Sequence, residues 1–221
     1  MKLQQLLQRP DVWRGNQAPP VPGIPTGFPA LDRLLPGGGW PAGALTEIHL
    51  PYAGIGELRL LLPALAALSR GERWIVFVAS PYIPFAPALS AAGFVLARML
   101  QVQPESSANA LWSVESCLRS GACAAVIAWT DGVTAAELRR WQLAAEAGQT
   151  WGVWFQRRHV PGSPASLRLE LAPASGNALM LNILKRRGGW PIGPVRVEMD
   201  HALASGTPAG LFARDSEPRR A

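Results

Sequence analysis

Between Ala44 and Leu65 the chain reads "ALTEIHLPYAGIGELRLLLPAL": an apolar stretch, a turn with two glycines, then a second apolar stretch of helical spacing. A strand that leads through a glycine turn into a helix aims backbone N–H groups and a helix N-terminus at one point, the arrangement that cradles a phosphate. A working loop of this kind starts its helix with lysine and sets a hydroxyl beside it for magnesium. Here Glu57 and Leu58 stand in those places, after Gly54 and Gly56. A carboxylate at the mouth of an anion site repels a phosphate where lysine would attract it. Gly54, Gly56, Glu57 and Leu58 are therefore read as a vestigial phosphate loop that holds no cofactor. The plainer reading is a tight turn with an acid in the first turn of a helix, where the macrodipole favours it.

Strands and helices alternate beyond the turn. Strands are expected at Ala44–Leu50, Trp74–Ala79, Met99–Val102, Cys123–Trp129 and Trp151–Phe155. Helices are expected at Glu57–Ser69, kinked or interrupted near Pro63, and at Ala86–Ala92, Ala108–Ser120 and Thr134–Gly148. Thr134 and Glu137 have the spacing of a capping box. Continuous apolar runs such as "WIVFVA" and "CAAVIAW" fit strands covered on both faces, the mark of a parallel sheet with crossover helices. After Gln156, Leu167–Leu171, Leu179–Leu184 and Val195–Met199 read as a β-rich C-terminal extension. The fold class is α/β with a mainly parallel central sheet.

The flanks differ. Leu3, Leu6 and Leu7 make residues 1–9 a short amphipathic helix, too short to be stable without a surface to lie on. Residues 10–23 read as a linker, in a proline-bearing stretch that continues to Gly27. Residues 24–199 form the core domain, and 200–221 lose periodicity and read as a flexible tail. The helix either folds onto its own core or docks on an adjacent subunit.

Net charge is +6, and it is unevenly placed: residues 1–132 carry nine basic and eight acidic side chains, residues 133–221 twelve and seven. The basic part invites an acidic protein or nucleic-acid partner. Cys117 and Cys123 lack metal-site spacing and suggest no disulfide framework. His49, His159 and His201 are scattered without triad or metal spacing, so neither a catalytic residue nor a metal ligand is assigned. With no signal-like or membrane-length apolar run, a cytoplasmic protein without membrane contact is expected.

"PTGFPALDRLLPGGGWPAGALTEI" resembles the start of the RecA-type ATPase core, and the resemblance extends over roughly residues 24–199. "VWFQRR" is similar to the strand that ends in a nucleotide-sensing glutamine, here Gln156. The phrases "RPDVWRG", "GIGELRLLLPAL", "RSGACAAV" and "ILKRRGG" resemble the ImuA family, RecA-like and SulA-related accessory proteins of translesion DNA synthesis. The resemblance implies a RecA-like three-layer core and a role in SOS mutagenesis. It also implies, as partners, an ImuB-like inactive polymerase and an error-prone polymerase subunit. RecA itself and further copies of the chain are wider partner candidates, with DNA contact weak or indirect. Alternatives are a SulA-like cell-division inhibitor or a modulator of RecA filaments.

Three departures from active RecA-type enzymes agree with one another. Glu57 and Leu58 replace the lysine and hydroxyl. Pro81 stands where the resemblance implies a water-activating glutamate, and Trp129 ends the strand that should close on a magnesium-associated aspartate, leaving Asp131 as a poor substitute. Without charge neutralisation or a base, phosphoryl transfer has no support, so the chain is read as a degenerate ATPase and not an enzyme.

Candidate interaction residues are Leu3, Leu6 and Leu7 on the first helix; Trp13; Arg139, Arg140 and Trp141 together on one helix; Arg157 and Arg158, with His159, on the loop after Gln156; and Lys185, Arg186 and Arg187. The last group is either a solvated turn or a basic surface toward a neighbouring subunit. Trp13, Trp40, Trp141 and Trp190 fall in loops or on expected surfaces, where an indole beside arginine anchors protein interfaces, although some of them are packing residues.

Overall fold

A computed structural model of the chain describes residues 23–199. The expected helix bearing Leu3, Leu6 and Leu7, together with Trp13, His201 and the tail, lies outside the described residues. The elements are β1 (Gly23–Ile24), α1 (Pro29–Asp32), β2 (Trp40–Pro41), β3 (Leu45–His49), α2 (Glu57–Ser69), β4 (Trp74–Val78), α3 (Ala86–Ala91), β5 (Met99–Val102), α4 (Ser107–Arg119), β6 (Cys123–Trp129), α5 (Ala135–Gly148), β7 (Trp151–Gln156), β8 (Leu167–Ala174), β9 (Ala178–Arg186) and β10 (Ile192–Glu198).

Eight strands form one sheet in the order β10-β9-β8-β3-β7-β6-β4-β5, and β1 pairs with β2 in a small separate ribbon. β3 is parallel to β7 and β8, and β6 is parallel to β4 and β7. β9 and β10 add on as antiparallel strands. The core is thus the α/β, mainly parallel architecture that the sequence led one to expect, with an antiparallel C-terminal edge.

Strand alternation sorts the apolar side chains into two layers. Ile48, Phe77, Ile127, Val153 and Phe155 face the α2 side with Leu58, Leu61, Leu62 and Leu65. Leu45, Val76, Val78, Val126 and Trp154 face α4 and α5 with Val114, Leu118, Leu138 and Trp141. Ser106 caps α4 through the Asn109 N–H, and Thr134 with Glu137 forms the expected capping box on α5.

Pro63 neither breaks nor interrupts α2, contrary to expectation; one helix runs from Glu57 to Ser69. The proline faces Gly27, where an added Cβ would lie only 2.4 Å from the Pro63 Cβ. Residues 23–27 therefore belong to the folded body, where Thr26 N–H donates to Asp32 Oδ1 at 2.8 Å.

Tryptophan placement also differs from expectation. Trp40 is fully buried and stacks on Trp151 at 5.5 Å. Trp141 is buried too, its indole N–H donating to the Leu111 carbonyl at 3.3 Å. Indoles whose N–H finds a carbonyl fill large interior spaces at no polar cost. Trp190 is exposed, as expected, and so is Trp112 on α4.

Candidate functional site

The glycine turn joins β3 to α2. Gly54 and Gly56 both have positive φ, 91° and 110°, the left-handed region that lets successive backbone N–H groups converge. Such a concave amide nest binds anions. Glu57, the first residue of α2, is fully buried and turns its carboxylate back into the nest. Its oxygens accept the Gly54 N–H at 2.8 and 3.1 Å and the Gly56 N–H at 3.1 Å.

The anion position is thus filled from within the chain. Burial pushes the Glu57 carboxyl up from its ordinary pKa, and the backbone amides of residues 54 to 57 offset this only in part. A phosphate seated here would have to expel a buried carboxylate and take up its hydrogen bonds. The acid thus caps the N-terminus of its own helix by accepting hydrogen bonds from the amides of the turn. Leu58 beside it is buried and offers no oxygen.

The neighbouring strand ends hold no base or metal ligand of the expected kind. Pro81 is exposed in the loop after β4. Trp129 stacks between Phe77 and Phe155, at 6.2 and 4.9 Å. Asp131 is largely exposed and pairs with Arg157 at 3.6 Å. Among the described residues no three His, Cys, Asp or Glu side chains gather to hold a metal.

A second cluster lies on the α5 side of the sheet, where β3, β7 and β8 meet. Glu47, almost fully buried, accepts from His49 Nε2 at 2.8 Å and from Arg168 at 3.1 and 3.2 Å, and also from Gln156 Nε2 and Ser163 Oγ. Burial alone would raise its pKa. The hydrogen bonds from His49 and Ser163 and the Arg168 cation outweigh that and hold it below the usual carboxylate range. Gln156, the expected nucleotide sensor, is thus bound into this internal network, with His49 Nε2 at 3.2 Å as well.

The His49 and His159 rings meet with centroids 3.8 Å apart and planes tilted by 31°, so two of the three histidines that look scattered in sequence meet in space. The signal was present in "LTEIH": Glu47 and His49 point to one face of a strand with no solvent on either side, and buried charges need partners. Nothing local named Ser163 or Arg168 as those partners, which come from over a hundred residues away.

The basic candidates differ in how far they are buried and tied into the fold. Arg140 is held by Glu115, which also pairs with Arg119, and Trp141 beside it is buried, so the exposed Arg–Trp anchor expected on α5 does not exist. Arg139, Arg157, Arg158 and His159 are exposed. Lys185 donates to the Ser163 carbonyl at 3.3 Å, and burial followed by the nearby Arg168 lowers its pKa. Arg186 ties the β9–β10 turn to Leu34 and Trp190 through their carbonyls, at 2.5 and 3.0 Å. Arg187, with Glu146 and Gln149, lines a cavity of about 410 Å³ beside Ala44 and Leu167, at the strand ends opposite the glycine turn.

Over 173 residues the chain is 33% identical to Protein ImuA of Caulobacter vibrioides (strain NA1000 / CB15N), covering 70% of each. The chain belongs to the ImuA family. A family model described as the cell division inhibitor SulA matches residues 44–152 of this ImuA-family chain. The cell division inhibitor SulA of Edwardsiella piscicida is 33% identical over 97 residues, 44% of this chain and 58% of that protein. Protein RecA of Thermus thermophilus is 31% identical over 170 residues, 77% of this chain but 48% of its own length. The chain thus spans about half of RecA, and the matched half fits the α/β core described above. No helix among the described residues is long and apolar enough to cross a membrane.

Proposed function

We propose that this ImuA-family chain is a non-catalytic, RecA-like accessory protein of translesion DNA synthesis. It acts by contact with an ImuB-like inactive polymerase and an error-prone polymerase subunit. The observation that carries the non-catalytic part is the Glu57 carboxylate, buried and bonded inside the amide nest where a nucleotide phosphate would have to sit. Pro81 and Trp129 supply neither base nor metal ligand beside it, so charge neutralisation and proton transfer both lack a donor group.

On this reading the core of residues 24–199 is a rigid platform in the cytoplasm. Residues 1–9 dock on a partner or a second copy, the linker up to the folded Gly23 acts as tether and 200–221 as tail. The exposed basic groups Arg139, Arg157, Arg158 and Arg187 meet acidic protein surface or touch DNA phosphates without reading bases. The test is titration of the full chain with labelled ATP and magnesium, paired with pull-down of the polymerase partners from DNA-damaged cells. Neither binding nor turnover of ATP, with both partners recovered, is the expected result. Turnover, or failure to recover either partner, overturns the reading.

A second reading, a SulA-like division inhibitor, draws on the SulA match over residues 44–152. Overexpression separates the two: filamentous cells with damage-induced mutagenesis unchanged favour the inhibitor.

A further inference from the structure

The cavity at the N-terminal ends of β3 and β8 has a volume of about 410 Å³, within the range of roughly 300–1,000 Å³ that ligand sites occupy. Pro36, Pro41, Ala42 and Leu167 give it apolar wall, and Glu146 and Gln149, at the end of α5, contribute polar groups. One side is bare backbone. Gly43 has a φ of 61°, and a Cβ there would come within 3.2 Å of Gln149 Oε1. Gln149 Nε2 donates one of its two protons to the Glu146 carbonyl at 2.8 Å, which leaves the second for a further acceptor.

The chain enters the fold at the rim of this cavity. β1 runs antiparallel to β2, with Gly23 opposite Pro41 and Ile24 opposite Trp40. Continued toward the N-terminus, that register sets Pro22 opposite Ala42 and Val21 opposite Gly43, and both Ala42 and Gly43 line the cavity. The approach is closely fixed. A Cβ at Gly23 would lie 2.4 Å from the Gly37 carbonyl oxygen, and one at Gly39 would lie 2.0 Å from that of Ile24.

The segment that arrives there, Pro19-Pro20-Val21-Pro22, has the chemistry such a seat needs. Proline holds φ at about −65°, so the segment is extended before it binds and has little chain entropy to lose. Its prolines lack an N–H, so it brings carbonyl acceptors while burying only the Val21 donor. Its rings are of the size and polarity to pack on Pro36, Pro41 and Leu167. Tethered at Gly23, it also has an effective concentration that a free ligand of like affinity cannot match.

We propose that Pro19–Pro22 is the occupant of this cavity, laid in from the same chain as a continuation of β1. The tether is thereby shortened to residues 10–18, whichever partner residues 1–9 meet.

The test uses the full chain. Val21→Cys is combined with Ser166→Cys on the cavity wall or, as a control, with Ser107→Cys, at the exposed start of α4 beyond the C-terminal end of β5. Each double variant is treated with a short bis-maleimide, digested and mapped by mass spectrometry, which also separates any product at Cys117 or Cys123. The expected product is a link between positions 21 and 166 within one chain, several-fold more abundant than any link between 21 and 107. Mixing light and heavy-nitrogen chains distinguishes links within a chain from links between chains. Equal yields at 166 and 107, or no link to 166, would overturn the proposal. A link to 166 found only between light and heavy chains would overturn it as well, and would give the cavity to a second copy. Hydroxyl-radical footprinting of the parent chain decides alone if a variant fails to fold. Oxidation of Pro19–Pro22 should be several-fold lower in the native chain than in urea, and equal oxidation refutes the docking.

Discussion

The Glu57 carboxylate accepts the Gly54 backbone N–H at 2.8 Å, so the side chain that opens α2 fills the anion nest three residues before it. Burial holds the folded-state pKa of Glu57 above its ordinary value. A group raised on folding adds stability below its unfolded pKa and loses that contribution as pH rises through the folded value. Glu57→Gln removes this titration. The parent chain is therefore expected to gain stability relative to Glu57→Gln as pH falls through the raised folded-state pKa toward the ordinary carboxylate range, read as urea midpoints at each pH. A difference that is flat or of opposite slope contradicts the assignment.

Arg168→Met strips the main cation from a carboxylate that is 1% exposed. Removing one partner of a buried pair costs about 3–5 kcal/mol. Glu47 is held low, so its contribution is present above its unfolded pKa and is lost as pH falls through the folded value. In Arg168→Met that acid loss should begin at higher pH. The double variant with Glu47→Gln should cost less than the sum of the two single changes, measured by denaturant unfolding.

Two tryptophans flanked by arginine or glycine should behave oppositely. Trp141→Ala empties a buried site and should cost about 3–5 kcal/mol. Trp190→Ala, at 86% exposure, should leave the unfolding midpoint within about 0.5 kcal/mol while weakening partner recovery in pull-downs. Equal effects on stability would refute the distinction.

Gly148→Ala sets helix propensity against packing. Propensity alone gives a gain of about 1 kcal/mol for replacing a helical glycine with alanine. An added Cβ at Gly148 would meet the Leu118 carbonyl oxygen at 2.0 Å, where the end of α5 presses on α4. Overpacking against backbone should win and destabilise the chain by about 1–3 kcal/mol. Thermal unfolding of the variant gives the sign.

The regular elements were legible because their cause is local. Apolar runs of strand length, helical periodicity and the Thr134–Glu137 box each act within a few residues, and the strands and helices from β3 to β10 lie where those patterns placed them. α1 and the β1–β2 ribbon were missed, since elements of two to four residues carry no period. At Pro63 the expected interruption does not occur: α2 runs on through the proline, whose ring packs against Gly27.

Neighbouring residues alone specify the α/β alternation, the glycine turn and the acid at position 57, because periodicity and the identity of a side chain at a helix start are local properties. Long-range packing is what turns Glu57 inward to fill its own nest, buries Trp141 and brings Glu47 to Ser163 and Arg168. Which groups meet across the sheet depends on strand order and register, and those are fixed by the packing of both faces at once.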